Sequence, residues 1–148
     1  MSGTITNIFI KSSVGGEMRP VNHAQALGNQ GLEGDANIGN RQRQVLLIEK
    51  ETIAEWGLAA GTVRENVTVQ DFTLAGLPTG TRLQVGSAIL EVTGDCAPCE
   101  FMDGLAAGLR AKSAGRRGTL CKVITSGALA IGERVALAAP TPAPAKHG

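Results

Sequence analysis

The chain has 148 residues and a mass of 15.2 kDa, room for one compact domain and too little for two. Fourteen Lys and Arg against thirteen Asp and Glu leave a formal charge of +1, so no broad basic field exists to hold nucleic acid or an anionic membrane by charge alone. Apolar residues at 43% permit a sizeable core and exclude global disorder; with Trp56, Phe9, Phe72 and Phe101 as the only aromatics, that core must be aliphatic.

Ile5, Ile8 and Ile10 among small and polar residues predict an opening strand over 4–11, with a turn at 12–16. Residues 21–43 are polar and punctuated by Gly28, Gly31, Gly34 and Gly39, the pattern of a long functional loop. The apolar run at 45–48 predicts a buried strand, and 49–56 a helix with Ile53 and Trp56 on one face and Gly57 as its stop. Alternation through Val67 and Val69 marks a strand over 64–69. Strands at 82–85 and 88–93 flank Gly86-Ser87, a two-residue hairpin connection. Pro98 opens a second helix in which Phe101, Leu105 and Leu109 recur every four residues, broken at 115–118. Strands at 120–124 and 134–137 follow, and the Pro/Ala-rich residues 139–148 read as a disordered tail on a domain spanning 1–138.

About seven or eight short strands and two or three short helices result. Strands separated by Gly-rich turns favour a mainly β barrel or sandwich, because a parallel α/β sheet needs a helix after most strands. The N-terminus lacks the basic and apolar regions of a signal peptide, and no window reaches the ~18 apolar residues that span a bilayer. Three cysteines form no disulfide framework. A soluble, reducing, cytoplasmic setting is expected.

The segment most suggestive of chemistry is Cys96-Ala97-Pro98-Cys99, between a predicted strand and a predicted helix. Proline in the first helical turn places Cys99 near a helix N-terminus, where unpaired N–H groups favour a thiolate as metal ligand or persulfide carrier. Cys96 could serve as a second, resolving thiol, whereas Cys121 lies in an apolar strand and reads as packing. Structural zinc needs four N/S ligands, and the pair has only Cys121, His23 and His147 to join it. A thioredoxin-like dithiol is disfavoured because 99–139 contains no proline for that fold's companion turn. Polar residues in loops accompany the cysteines: Lys11-Ser12, Asp35, Arg41, Arg43-Gln44, Arg64-Glu65-Asn66 and Arg116-Arg117. Arginines at strand ends offer bidentate donors for phosphate or a pterin-like edge. Gly31-Leu32-Glu33-Gly34-Asp35 lacks the Gly-Lys-Ser/Thr ending of a P-loop, and His23 alone cannot complete a Ser-His-Asp arrangement.

Taken in order, these blocks resemble the MOSC domain, named for the C-terminal domain of molybdenum cofactor sulfurase. The resemblance runs through Ile10-Lys11-Ser12, Met18-Arg19-Pro20-Val21, Gly31 to Asp35, Arg43-Gln44-Val45 and Arg64-Glu65-Asn66-Val67. It continues through Gly80 to Gly86, Pro98-Cys99, Arg117-Gly118 and Gly127 to Val135, covering roughly residues 4–137. It implies a β-barrel, in a stand-alone member, that binds the molybdenum cofactor (molybdopterin). By the match, Cys99 is the sulfur carrier or molybdenum ligand, with Cys96 secondary, and Lys11, Ser12, Arg43, Arg64, Asn66 and Arg117 line the cofactor pocket. Sulfur transfer through a cysteine persulfide is the leading expectation. The alternatives are a molybdenum-dependent reductase of N-hydroxylated compounds, which needs an electron donor, and a non-catalytic delivery module. A cysteine desulfurase or molybdoenzyme partner is expected in trans, and neither zinc nor pyridoxal phosphate is expected on this chain. Many relatives carry His shortly after the Gly-Asp pair, whereas this sequence has Asn37, which cannot act as an acid or base near neutral pH.

Overall fold

The computed structural model describes residues 2–138, so the tail predicted at 139–148 lies outside the described residues. In chain order the elements begin with β1 (Ser2–Lys11), β2 (Met18–Val21), β3 (His23–Leu27), β4 (Gly31–Leu32), β5 (Val45–Glu49), α1 (Lys50–Glu55) and β6 (Val67–Gln70). They continue with β7 (Arg82–Val85), β8 (Ala88–Asp95), α2 (Glu100–Leu105), α3 (Leu109–Lys112), β9 (Thr119–Thr125), β10 (Gly127–Ala130) and β11 (Arg134–Leu137).

Seven strands close into a barrel in the order β1-β11-β7-β8-β9-β5-β6 and back to β1, with β2 added to β1 as a flap. The mainly β reading therefore holds, with three short helices. Closure removes the sheet edges that would otherwise pair with other chains. β1 serves three partners: Ser2 to Thr4 pair with β11, Thr4 to Ile8 with β6 and Ile8 to Lys11 with β2, and a bulge between Ile5 and Asn7 bends it within the β6 pairing.

Side chains alternate in and out, as the two-residue period of a strand requires. Ala88, Leu90 and Val92 of β8 and Cys121 and Val123 of β9 enter the aliphatic core, and the residues between them are partly exposed. β5 is an exception, with Val45 to Ile48 all buried. Val45 and Leu47 face the barrel interior, while Ile48 joins a second cluster with Ile53, Val63, Met102 and Leu109 beneath the helices. Both faces of that strand are covered, which is why its sequence is continuously apolar. β5 and β6 are parallel, and α1 lies in the crossover between them.

Three expectations need correction. Residues 21–43 are not one loop, since β3, β4 and the end of β2 fall there, and β3 and β4 join β10 in a three-stranded sheet whose Ala24, Ala26, Leu32 and Leu129 extend the core. The strand expected from residue 64 begins at Val67, because Arg64 takes φ 66 in the turn before it. The second helix is broken: α2 ends at Leu105, Gly108 takes φ 77, and Met102 rather than Phe101 is the buried anchor. The hairpin at Gly86-Ser87 forms as expected, with Val85 opposite Ala88 and φ 58 at Gly86.

Candidate functional site

At one end of the barrel, segments distant in sequence converge on a cleft of about 120 Å³. Lys11 comes from the end of β1, Arg43 from the loop before β5, Arg64 and Asn66 from the turn before β6, and Arg117 from the segment before β9. Cys96, just past β8, supplies a thiol; Met18, Asn37, Leu46 and Leu120 complete the wall. Four cations and no carboxylate line this space. Larger surface grooves exist, one of about 420 Å³ beside β2 and β3, one of about 400 Å³ beside Phe72 and Leu137 and one of about 250 Å³ beside Trp56 and Lys112. None of them brings a thiol together with a cationic cluster, so the smaller cleft is the candidate site.

The cleft is braced by one buried carboxylate behind its wall. Asp35 Oδ1 accepts from Lys11 N at 2.9 Å and Asn66 Nδ2 at 3.2 Å, and Oδ2 accepts from Asn37 N at 3.1 Å. Asn66 Oδ1 accepts from Leu46 N at 3.0 Å, and its Nδ2 also donates to Phe9 O at 3.1 Å. Asn66 thus ties β1, β5 and Asp35 together, and its amide is already engaged with protein partners. Arg64 donates through Nη2 to Gly16 O at 2.8 Å, anchoring the loop between β1 and β2 over the same end.

Arg117 is 5% exposed, and its Nε and Nη1 have no hydrogen-bond partner. Gly118 holds it there: φ is 139, and a Cβ at this position would stand 2.6 Å from Leu46 Cδ1, so the segment lies flat against β5. The fully buried Glu65 lies near enough for Arg117 to act on it electrostatically. Burial pushes the Glu65 carboxyl above its ordinary value, against the opposing pull of Gly61 N, Thr68 Oγ1 and Arg117. Its Oε1 is unpartnered.

The two cysteines of the Cys-x-x-Cys segment occupy different environments. Cys96 is 4% exposed, lines the cleft, and has Arg43 Nη2 3.8 Å from its Sγ. Its backbone N–H donates to Gly118 O at 2.9 Å, setting it beside Arg117. Cys99 is exposed and precedes α2, outside the cleft lining. That helix has six residues, too few for the N-terminal field the sequence suggested for Cys99. Cys121 is buried in β9, where desolvation pushes its thiol up to about 12. All three are free thiols.

Of the residues expected in the pocket, Lys11, Arg43, Arg64, Asn66 and Arg117 are brought together. Ser12 is exposed in the loop after β1 and is not part of the lining. Arg116 points away, pairing with Glu55 at 2.9 Å and lying 5.8 Å from the Trp56 ring centroid. The bracing role of Asp35 and the burial of Glu65 were not read from sequence. The only available signal was their position, Asp35 after Gly34 and Glu65 beside Asn66 just ahead of a buried strand. Among the described residues, no group of three or more His, Cys, Asp or Glu could hold a metal ion.

A closed β-barrel with a cationic, thiol-bearing cleft at one end defines the class. The MOSC domain model matches residues 34–136, more than half of the sequence, and the chain belongs to the MOSC domain family, a family associated with the molybdenum cofactor. Solved structures of similar fold include YuaD from Bacillus subtilis, with a TM-score of 0.78 at 19% identity, covering 91% of this chain and 94% of that one. YiiM from Escherichia coli matches with a TM-score of 0.73 at 18% identity, covering 95% of this chain and 71% of that one. YiiM from Geobacillus stearothermophilus matches with a TM-score of 0.72 at 18% identity, covering 93% and 75%. No curated protein gives a significant match. Among the described residues, no helix is long and apolar enough to cross a membrane.

Proposed function

We propose that this protein holds the molybdenum cofactor by the phosphate of its pterin and transfers sulfur through a cysteine of the Cys-x-x-Cys segment. The observation that carries the reading is Arg117, a buried guanidinium with two donors unpartnered in a cleft free of carboxylates. Glu65 acts on it from within the protein, and an anion in the cleft would add a partner to a buried charge that is costly to leave underpaired. A phosphate in the cleft would accept from the Arg117 guanidinium, with Lys11, Arg43 and Arg64 adding charge around it. At about 120 Å³ the cleft is smaller than the ~300 Å³ or more of sites that enclose a whole small molecule, which suits one anionic end of a longer ligand.

When bound, the cofactor supplies a molybdenum centre at which sulfur is exchanged or a substrate oxygen is removed. This chain's own part is to bind the anion, exclude water around it with Met18, Leu46 and Leu120, and carry sulfur on a thiol. A thiolate takes the outer sulfur of a donor persulfide, and the donor thiolate leaves, so the step needs no external oxidant. A cysteine desulfurase in trans is the fitting donor, and a molybdoenzyme the fitting recipient.

Protein purified from cells that make the cofactor is expected to carry an oxidisable, fluorescent pterin. After incubation with a desulfurase and free cysteine, the intact mass is expected to increase by one sulfur atom. Absence of both would sink the reading. Stoichiometric molybdenum with reduction of N-hydroxylated compounds, and no sulfur uptake, would replace sulfur transfer with the reductase.

A further inference from the structure

Sulfur carriage raises a problem of access that the two cysteines divide between them. Cys96 faces the cationic cleft but is 4% exposed, so a persulfide held on another protein cannot readily reach it. Cys99 is open to solvent and stands outside the cleft. Neither position by itself combines contact with a protein donor and contact with a ligand in the cleft.

Resting on the sulfur-transfer reading, we infer that the pair is a relay: Cys99 receives sulfur from a protein-borne persulfide, and Cys96 takes it over and holds it inside the cleft. In the first step the Cys99 thiolate attacks the outer sulfur of the donor persulfide. The new sulfur–sulfur bond forms on Cys99, the donor's bond breaks, and the donor leaves as a thiolate. In the second step the Cys96 thiolate attacks the outer sulfur on Cys99, which leaves as a thiolate in turn. One sulfur moves at each step with its proton, and nothing is oxidised or reduced overall.

The structure supports each half. Two residues separate the cysteines, the spacing at which paired thiols in redox motifs reach one another. The residues between β8 and α2 belong to neither element. Cys96 is tied to Gly118 O at 2.9 Å and has Arg43 Nη2 3.8 Å from its sulfur, so the delivered persulfide would stay beside the cations that hold the anion. A persulfide left on Cys99 would stand in solvent, open to any passing reductant.

The test loads wild type, Cys96→Ser and Cys99→Ser with a cysteine desulfurase plus cysteine and, separately, with glutathione persulfide as a small donor, followed by quenched peptide mapping. Wild type is expected to show sulfur on Cys99 first and on Cys96 later, and Cys96→Ser to stop at Cys99. Cys99→Ser is expected to load Cys96 from the desulfurase at least about tenfold more slowly than wild type. It should still load Cys96 from glutathione persulfide, which shows that the variant is folded and its remaining thiol competent. Equal desulfurase loading of Cys96 with and without Cys99, or sulfur on Cys96 before Cys99 in wild type, would overturn the relay while sulfur carriage stood. Wild type that takes sulfur at neither cysteine from either donor would remove the relay and the sulfur reading together.

Discussion

Asn66 Nδ2 donates to Asp35 Oδ1 at 3.2 Å, joining two buried side chains that are 31 residues apart. Lys11 N and Asn37 N share the same carboxylate, so one acidic side chain positions three segments around the cleft. The carboxylate itself stays out of the lining, leaving the cations unneutralised from within.

Asp35→Ala leaves those three donors without their acceptor, and is expected to lower unfolding free energy by about 3 kcal/mol in urea denaturation. Pterin retention should fall with it, because Lys11 and Asn37 lose their registration. A loss below about 1 kcal/mol would mean that water replaces the carboxylate without strain.

Arg117→Met separates anion binding from folding. The variant removes the two unpartnered donors and is expected to weaken binding of a phosphorylated pterin by roughly 30-fold, or about 2 kcal/mol, in titration calorimetry. Stability should change little, since removal of the buried charge offsets the loss of its attraction for Glu65. Unchanged affinity would move the anion site elsewhere.

Thiol reactivity should follow the three environments. Under limiting iodoacetamide at pH 8, Cys99 is expected to label first, Cys96 later, and Cys121 only on unfolding, its thiol being both buried and pushed up to about 12. Added phosphate should slow Cys96 selectively, because Cys96 shares the cleft with the cations. Labelling of Cys121 in native protein would contradict the packing of β9.

Glu65 gives a pH signature. Its folded carboxyl is raised by burial above the ordinary 4.5, so between those values the native state holds a proton that the unfolded chain has released. Stability from this group is therefore full below pH 4.5 and declines as pH rises through the folded value. Glu65→Gln is expected to gain stability relative to wild type as pH rises above 4.5, seen as a widening difference in urea midpoints. A difference that stays flat with pH would show that Arg117 offsets the burial.

Legibility in the sequence varied with the strength of local signals. β5, β7, β8, β9 and β11 were readable because Val, Ile and Leu either run together or alternate visibly in them. β3 and β10 escaped because their buried positions include Ala24, Ala26 and Leu129, mostly small residues whose contrast with their neighbours is weak. The Phe101–Leu105–Leu109 period misled because Met102 rather than Phe101 faces the core and the chain turns extended at Ala106, resetting the phase before Leu109. Of the cleft residues, the cations and Cys96 stood out by type and by their order along the chain. The brace at Asp35 did not, because a buried carboxylate looks like a surface one until its donors are placed around it.

The sequence by itself determined an aliphatic β domain, its family, and the residues able to meet an anion. Tertiary structure alone decided that Cys96 faces those cations while Cys99 faces solvent, and that Arg117 has unpartnered donors. Chemical type is written residue by residue. Direction and burial arise only when strands distant in the chain close into a barrel and bring their ends to one place.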